Sequence, residues 1–258
     1  MSKRRDKMIG KKYILTGGTG GLGQSLVNEL VARGAAVLVL GRNHERLESL
    51  EQLYPDYVTV KVLDMNDQRA IQQFTAQLKE SYDGIINNAG FGYFKSLADH
   101  SDEELIQMMN VNFTHTALLM KNVIPHLRSG ASIINISSQS ARVTTPYGAV
   151  YAASKAALLS LTNSIRLEHP EFHVMSVNTG PIATDFFKHA DQSGYYAQAT
   201  AKIQLDRFVL ASQIIEGLLQ KKLEVNSPGW MHYGLTLYQL APRQIEKLLK
   251  PFFLSKHR

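Results

Sequence analysis

Between Lys12 and Asn178 the chain alternates short apolar runs with longer periodic ones. The short runs YILTG, AVLVL, VTVKVL, GIINN, SIINIS and HVMSVN are mostly apolar at neighbouring positions, as parallel strands covered on both faces by helices must be. Between them QSLVNELVARG, HERLESLEQL, DQRAIQQFTAQLKESY, SDEELIQMMNVNFTHTALLMKNVIPHL and YAASKAALLSLTNSIRLEH carry apolar residues at helical spacing. Strand and helix in strict turn predict an α/β fold with a doubly wound parallel sheet. Ser101 with Glu104 three residues on makes a capping box, and Gly34 stands where a helix would stop.

Past Asn178 the pattern changes. The stretch TDFFKHADQSGYYAQATAK is rich in aromatic and small residues without a clear period, DRFVLASQIIEGLLQKK restores a helix, and PRQIEKLLKPFFL falls in the last segment. Ligands of open α/β sheets bind beyond the carboxyl ends of the strands, so an insert after the sixth strand, at about 183–202, is expected to lie there as a lid. A helical extension is expected at about 227–258. No repeat or linker divides the chain, and residues 1–258 read as one domain.

Composition narrows the chemistry. The 258 residues contain no cysteine, which excludes disulfides, thiolate metal sites and a cysteine nucleophile. His169 and His173 are four apart but flank a proline and the start of a strand, so no metal site is expected. The net charge of +6 favours a phosphate-bearing small molecule as well as nucleic acid. Much of it lies at the two ends, which reads as solubility and tails, so no nucleic-acid partner is expected. The basic start runs into a glycine-rich strand end without a signal-type apolar region, and no run is long enough to cross a membrane, so a cytoplasmic location is expected. In the last segment Ile245, Leu248 and Leu249 share one side with basic residues elsewhere; packing within the protein or on a neighbouring subunit is favoured over peripheral membrane contact.

TGGTGGLG, Thr16 to Gly23, follows the first strand directly. Missing side chains there let backbone N–H groups and a helix N-terminus approach a pyrophosphate. The second strand ends in Gly41 and Arg42, where a binder of the unphosphorylated dinucleotide usually carries Asp or Glu. A guanidinium suits a 2'-phosphate in charge and geometry, so NADP(H) is favoured over NAD(H). Asp64 after the third strand could accept a bond from adenine or cap the next helix. In NNAG, Asn87 to Gly90, a glycine lets a cofactor pass close to the backbone. In YAASK, Tyr151 and Lys155 lie one helical turn apart on one face, with small residues between.

Taken in order, the glycine run at 16–23, Asp64, NNAG, NVN ending at Asn112, NISS ending at Ser138, YAASK and NTGPIAT at 178–184 resemble the short-chain dehydrogenase/reductase family. The resemblance implies a Rossmann fold and an oxidoreductase that interconverts a ketone or aldehyde and an alcohol by hydride transfer. It implies Tyr151 as general acid/base, Lys155 lowering its pKa and binding the nicotinamide ribose, Ser138 polarising the carbonyl, and Asn112 supporting a proton-relay water. Cofactor contacts are expected at Gly17, Thr19, Gly20, Gly21 and Leu22, at Arg42 and Asp64, at Asn88, Ala89 and Gly90, and at Gly180, Ile182 and Thr184, besides Tyr151 and Lys155.

Two departures stand out. Thr179 replaces a common proline, and the C-terminal segment differs from that of acyl-carrier-protein ketoreductases. The aromatics of the lid and C-terminus imply a small apolar carbonyl or alcohol substrate. The resemblance also implies a homodimer or homotetramer built on the helices that hold Asn112 and Tyr151. The alternative is a catalytically silent dinucleotide-binding regulator or scaffold, against which the intact Tyr151 and Lys155 count.

Overall fold

The computed structural model describes residues 8–191 and 194–250. Seven parallel strands form one sheet in the order β3-β2-β1-β4-β5-β6-β7. They are β1 (Lys12–Thr16), β2 (Ala36–Gly41), β3 (Val58–Val62), β4 (Tyr82–Asn87), β5 (Leu127–Ser138), β6 (His173–Thr179) and β7 (Glu224–Ser227). The crossover helices lie on both faces. They are α1 (Gly21–Val31), α2 (His44–Leu53), α3 (Gln68–Ala76), α4 (Asp102–Met109), α5 (His115–Val123), α6 (Ala149–Glu168) and α9 (Arg207–Leu219).

The strands' two-residue period divides the core. Tyr13 and Leu15 of β1, Ile86 of β4 and Ile134 of β5 join the layer with Leu26 and Leu30 of α1 and Ile214 of α9. Their neighbours Ile14, Ile85 and Ile133 face the opposite layer, with Ile71 of α3, Leu119 of α5 and Leu158 of α6. A single-residue slip in any central strand would exchange these faces, so burial on both sides fixes the register.

The six expected strands form, and the capping box at Ser101 and Glu104 is made by both of its bonds. Three differences have local causes. The helix expected across 101–127 is divided by a π-helical turn at Asn110–Thr114 and stops at Val123, before Pro125. The periodic run from Asp67 is helical only to Ala76, and its last residue, Tyr82, begins β4. Asp67, whose side chain accepts the Ala70 N–H, caps that helix in place of Asp64. Gly34 closes α1 as expected: in the left-handed conformation (φ 85°) it donates its N–H to the Val31 carbonyl, and the Ala35 N–H reaches the Leu30 carbonyl.

The lid region folds as two short helices, α7 (Phe186–Ala190) and α8 (Tyr195–Thr200). The unforeseen strand β7 leads to α10 (Gly229–Leu240) and α11 (Pro242–Leu248). The expected extension beyond 250 lies outside the described residues. No helix among the described residues is long and apolar enough to cross a membrane.

Strand order reverses between β1 and β4, whose carboxyl ends diverge into a crevice. At the opposite edge, buried Asp83 accepts the Lys12 backbone N–H at 2.9 Å and pairs with Lys11 and Arg128. Burial pushes its carboxyl up, but these bonds and cations outweigh burial and hold it below the ordinary value. A depressed carboxyl stabilises the fold above its unfolded pKa of about 3.9 and loses that contribution as pH falls through the folded value. Asp83→Ala is therefore expected to cost about 1–3 kcal/mol in urea unfolding at pH 7, and less as the solution is acidified. An equal loss at both pH values would contradict this.

Candidate active site

The glycine loop builds one wall of the crevice. Gly17 turns with φ 67°, and a Cβ on it would lie 2.9 Å from Ala89 Cα. At Gly23 a Cβ would meet the Gly17 carbonyl oxygen at 2.1 Å, so only glycine lets α1 start this close to the strand. Gly20 precedes α1 without a side-chain cap, and no acidic residue lies in its first turn. The first N–H donors of α1 are therefore free of side-chain competition for an anion, as a dinucleotide pyrophosphate requires.

Thr16, Asn88 and Ala89 tie β1 to β4. The Thr16 hydroxyl accepts the backbone N–H groups of Asn88 and Ala89 at 3.0 and 2.9 Å. The Asn88 amide donates to the Thr16 and Gly17 carbonyls at 3.0 and 3.1 Å. Gly90 continues the wall: a Cβ there would lie 3.0 Å from both Lys155 Nζ and Asn112 Oδ1. Arg42 is exposed just past the end of β2 and has no ion pair among the described residues. Asp64 is exposed and accepts the Asn66 N–H.

The π-helical turn holds Asn112, which is fully buried. Its amide donates to the Phe91 carbonyl (2.8 Å) and Ser154 Oγ (3.0 Å) and accepts the Phe91 N–H (3.0 Å). Both amide donors are thereby spent, and only acceptor capacity at Oδ1 remains for a water. On α6, Lys155 donates to the Ile136 carbonyl at 2.9 Å, and its Nζ lies 6.0 Å from the centre of the Tyr151 ring. Burial lowers the Lys155 pKa to about 8. Burial also pushes the Tyr151 phenol above its ordinary value, against the Ser138 hydroxyl, whose hydrogen bond pulls it down.

Ser138 closes β5 and is buried; its Oγ accepts the Ser140 N–H at 3.1 Å and the Ser140 hydroxyl at 2.9 Å. Ser140 was not anticipated from sequence, although it lies only two residues beyond Ser138. The structure thus brings Asn112, Ser138, Tyr151 and Lys155 to one end of the sheet, around Gly90 and the end of β5. Gly180 N–H donates to the Ser227 carbonyl at 2.7 Å, Ile182 bridges Leu205, and Thr184 packs where a Gly21 Cβ would stand, 2.6 Å from its Cγ2.

An aromatic cluster covers the Tyr151 ring. Phe94 and Phe186 lie 5.6 and 5.7 Å from it, and Phe94 stacks on Tyr196 at 4.3 Å. The Phe94 N–H donates to the Ala190 carbonyl at 2.7 Å, joining the loop after β4 to the lid. Phe94 was missed because the short aromatic run FGYF, Phe91 to Phe94, carries no periodic signal that sets one ring apart from the others.

Behind Ser138, the turn at 139–147 is held by α10 and α11. Arg142 bonds His232 Nδ1 at 2.6 Å and donates to Thr236 and Gln239 at 3.1 Å. The Tyr238 hydroxyl accepts the Thr144 N–H at 3.3 Å and donates to Glu246 at 2.6 Å. Bonds from Thr144, then Tyr238 and Arg243, hold the Glu246 carboxyl down to about 2. The extension thus packs on its own domain through polar contacts, while Trp230, Tyr233, Leu237 and Leu240 of α10 stay exposed.

Outward of the glycine loop lies a cavity of about 710 Å³, whose walls include Thr19, Gly21, Gln24, Arg46, Thr184 and Arg207. Neither arginine was singled out from sequence. Arg46 stands only four residues after Arg42, a closeness in sequence that could have found it; Arg207 reaches the site only through folding.

The family model described as short chain dehydrogenase matches residues 11–193, and the chain belongs to this family of oxidoreductases acting on CH–OH groups. It is 28% identical over 263 residues to 11-beta-hydroxysteroid dehydrogenase 1A of Arabidopsis thaliana, covering 93% of this chain and 75% of that protein. An uncharacterised oxidoreductase of Staphylococcus epidermidis is 27% identical over 198 residues, covering 74% of this chain and 84% of its own. A short-chain dehydrogenase from Streptomyces avermitilis superposes with a TM-score of 0.80 at 22% identity, over 94% of this chain and 96% of that one. Another, from Sphingobium yanoikuyae in complex with NADPH, gives 0.77 at 18% identity, over 92% and 95%.

Proposed function

We propose that this dehydrogenase interconverts a small apolar ketone or aldehyde and its alcohol with NADP(H). The observation that carries the reading is the convergence of Ser138, Tyr151 and Lys155 beside an uncapped glycine-loop helix at the same sheet edge. A bound nicotinamide dinucleotide supplies or accepts the hydride. Gly17, Thr19, Gly20, Gly21 and Leu22 would hold its pyrophosphate side, Arg42 a 2'-phosphate and Asp64 the adenine. Asn88, Ala89, Gly90, Gly180, Ile182 and Thr184 would line its path to the nicotinamide.

In the reducing direction the Ser138 and Tyr151 hydroxyls donate to the substrate carbonyl oxygen, and Tyr151 gives up its proton as charge develops there. In the oxidising direction Tyr151 must first be a phenolate. Burial alone opposes that, so the Lys155 ammonium has to outweigh desolvation. Lys155 at about 8 is mostly cationic at neutral pH and meets this need. Asn112 fixes the loop after Gly90 and leaves one acceptor for a relay water. The cluster of Phe94, Phe186 and Tyr196 admits an apolar face and excludes bulk water from the phenol.

Leu167 on α6, 83% exposed, and Ile106 on α4, 58% exposed, would lie in the interface of a homodimer or homotetramer. Light scattering of Leu167→Glu should then show a smaller assembly than the parent. For the cofactor, titration of NADPH and NADH by nicotinamide fluorescence is the direct test, with Arg42→Asp beside the parent. NADPH is expected to bind the parent more tightly and to lose about tenfold or more in the variant, with NADH little changed. No binding of either nucleotide by the parent would overturn the proposed function.

A further inference from the structure

A serine hydroxyl has one proton to give and two lone pairs with which to accept. On Ser138 both lone pairs are filled from a single residue: Ser140 donates its backbone N–H at 3.1 Å and its hydroxyl at 2.9 Å to the same Oγ. The Ser140 hydroxyl has no other acceptor among the described residues, so its proton is committed to Ser138. The one proton left on Ser138 reaches the Thr179 carbonyl at 3.4 Å, a separation at which such a bond is weak. A closer acceptor, the Tyr151 oxygen or a substrate carbonyl beside it, would take that proton instead.

Both neighbours of this contact are anchored. Ser138 ends β5 and caps the short turn Gln139–Arg142. Gln139 donates to the Asn178 carbonyl of β6 at 3.2 Å, and Arg142 is tied to α10 through His232, Thr236 and Gln239. Ser140 lies between them, half-buried beside Ser138. The titratable groups facing the Tyr151 phenol are Lys155 of its own helix and Tyr196 of α8, while Phe94, Phe186 and Gly92 close other sides without charge. An ammonium has no acceptor, whereas Ser138 is hydrogen-bonded to the phenol. With its lone pairs already filled, Ser138 can make that bond only by donating.

Building on the dehydrogenase reading, we propose that Ser140 is a positioning residue that makes Ser138 a one-way donor. In reduction it leaves the Tyr151 proton for the substrate oxygen, and in oxidation it keeps a donor aimed at the Tyr151 phenolate. Two donors on one oxygen also polarise its O–H, so the hydroxyl that meets the substrate is a stronger donor than a serine standing alone. Without Ser140 one lone pair of Ser138 opens to the neutral phenol. Tyr151 would then hold its proton in a bond that has to break before transfer.

The test compares the full chain with Ser140→Ala, Ser140→Cys and Ser140→Thr, and with Ser138→Ala as the reference for loss of the donor itself. Thermal unfolding checks that each variant folds as the parent does. On a ketone and alcohol pair that the parent turns over with NADP(H), Ser140→Ala is expected to lower kcat about three- to tenfold with KM changed much less, and to move the alkaline rise of alcohol oxidation up by about half a pH unit to one unit. Cysteine keeps the size of serine but is a weak donor, so Ser140→Cys should behave as Ser140→Ala does. Ser140→Thr keeps the hydroxyl and should recover most of the rate and the parent's pH profile. A further readout needs no nucleotide: in protein carrying isotope-labelled tyrosine, the NMR signal of Tyr151, identified by its loss in Tyr151→Phe, should move in Ser140→Ala and return in Ser140→Thr.

If Ser138→Ala loses turnover while Ser140→Ala and Ser140→Cys keep the parent's rate and pH profile, this inference fails and the dehydrogenase reading stands. A fall in kcat with the pH profile and the Tyr151 signal unmoved would leave Ser140 a structural role and overturns the inference as well. If the parent turns over no ketone or aldehyde with either nucleotide, the dehydrogenase reading falls, and the Tyr151 signal alone decides the direction of the Ser138 bond.

Discussion

Tyr151→Phe is expected to lower kcat by about 10²- to 10⁴-fold, the range for loss of a positioned acid or base. The substitution removes one oxygen from a ring that Phe94, Phe186 and Gly92 already pack on its sides, so the pocket should keep its shape. Dinucleotide affinity should change little by comparison. Steady-state rates on a ketone that the parent reduces, set beside an NADPH titration of both proteins, measure the two quantities separately. A variant retaining most of its turnover would remove Tyr151 from the chemistry. One that lost turnover and affinity in equal measure would point to a structural role instead.

Lys155→Met is expected to have a double effect, with activity and stability moving in opposite directions. Without the cation only the Ser138 hydrogen bond opposes the desolvation of Tyr151, so the alkaline rise of alcohol oxidation should move to higher pH and kcat at pH 7 should fall by at least about 10²-fold. Stability follows from linkage. Burial depresses Lys155 from 10.5 to about 8, so the folded state carries a penalty at all pH values below 8. The penalty shrinks as pH rises from 8 to 10.5 and is gone above.

That penalty amounts to about 3 kcal/mol, and methionine would relieve it while leaving the Ile136 carbonyl unsatisfied at a cost of about 1–3 kcal/mol. A net gain of about 1 kcal/mol, or about 2–4 °C in Tm, is expected at pH 7, and a net loss of about 1–3 kcal/mol above pH 10.5, where only the cost of the unsatisfied carbonyl is left. Scanning calorimetry at the two pH values tests this. A Tm that falls equally at both would mean that Lys155 is held by packing and not strained by its charge.

Much of the architecture could be read from the chain because the central strands are apolar on both faces and their helices are long. Those signals are local. β7 escaped because Glu224, Asn226 and Ser227 leave Val225 as its one apolar residue and it is only four residues long at the sheet edge. The division of the helix at Asn110–Thr114 escaped because its partners are distant: Asn112 bonds residue 91 on one side and residue 154 on the other. The site divides in the same way. Tyr151, Lys155, Ser138 and the glycine loop stand in short recognisable strings, whereas Phe94 and Arg207 enter by tertiary placement, and their neighbours in sequence say nothing of it.

The bonds from α10 and α11 to the turn at 139–147 bear on the order in which the protein matures. Arg142 and Thr144 find their partners at residues 232–246, some ninety to a hundred positions later. During synthesis β1 to β5 and the glycine loop can assemble while that turn still lacks its support. A nascent chain stalled before residue 232 would therefore resemble a nucleotide-binding protein with an unfinished catalytic turn.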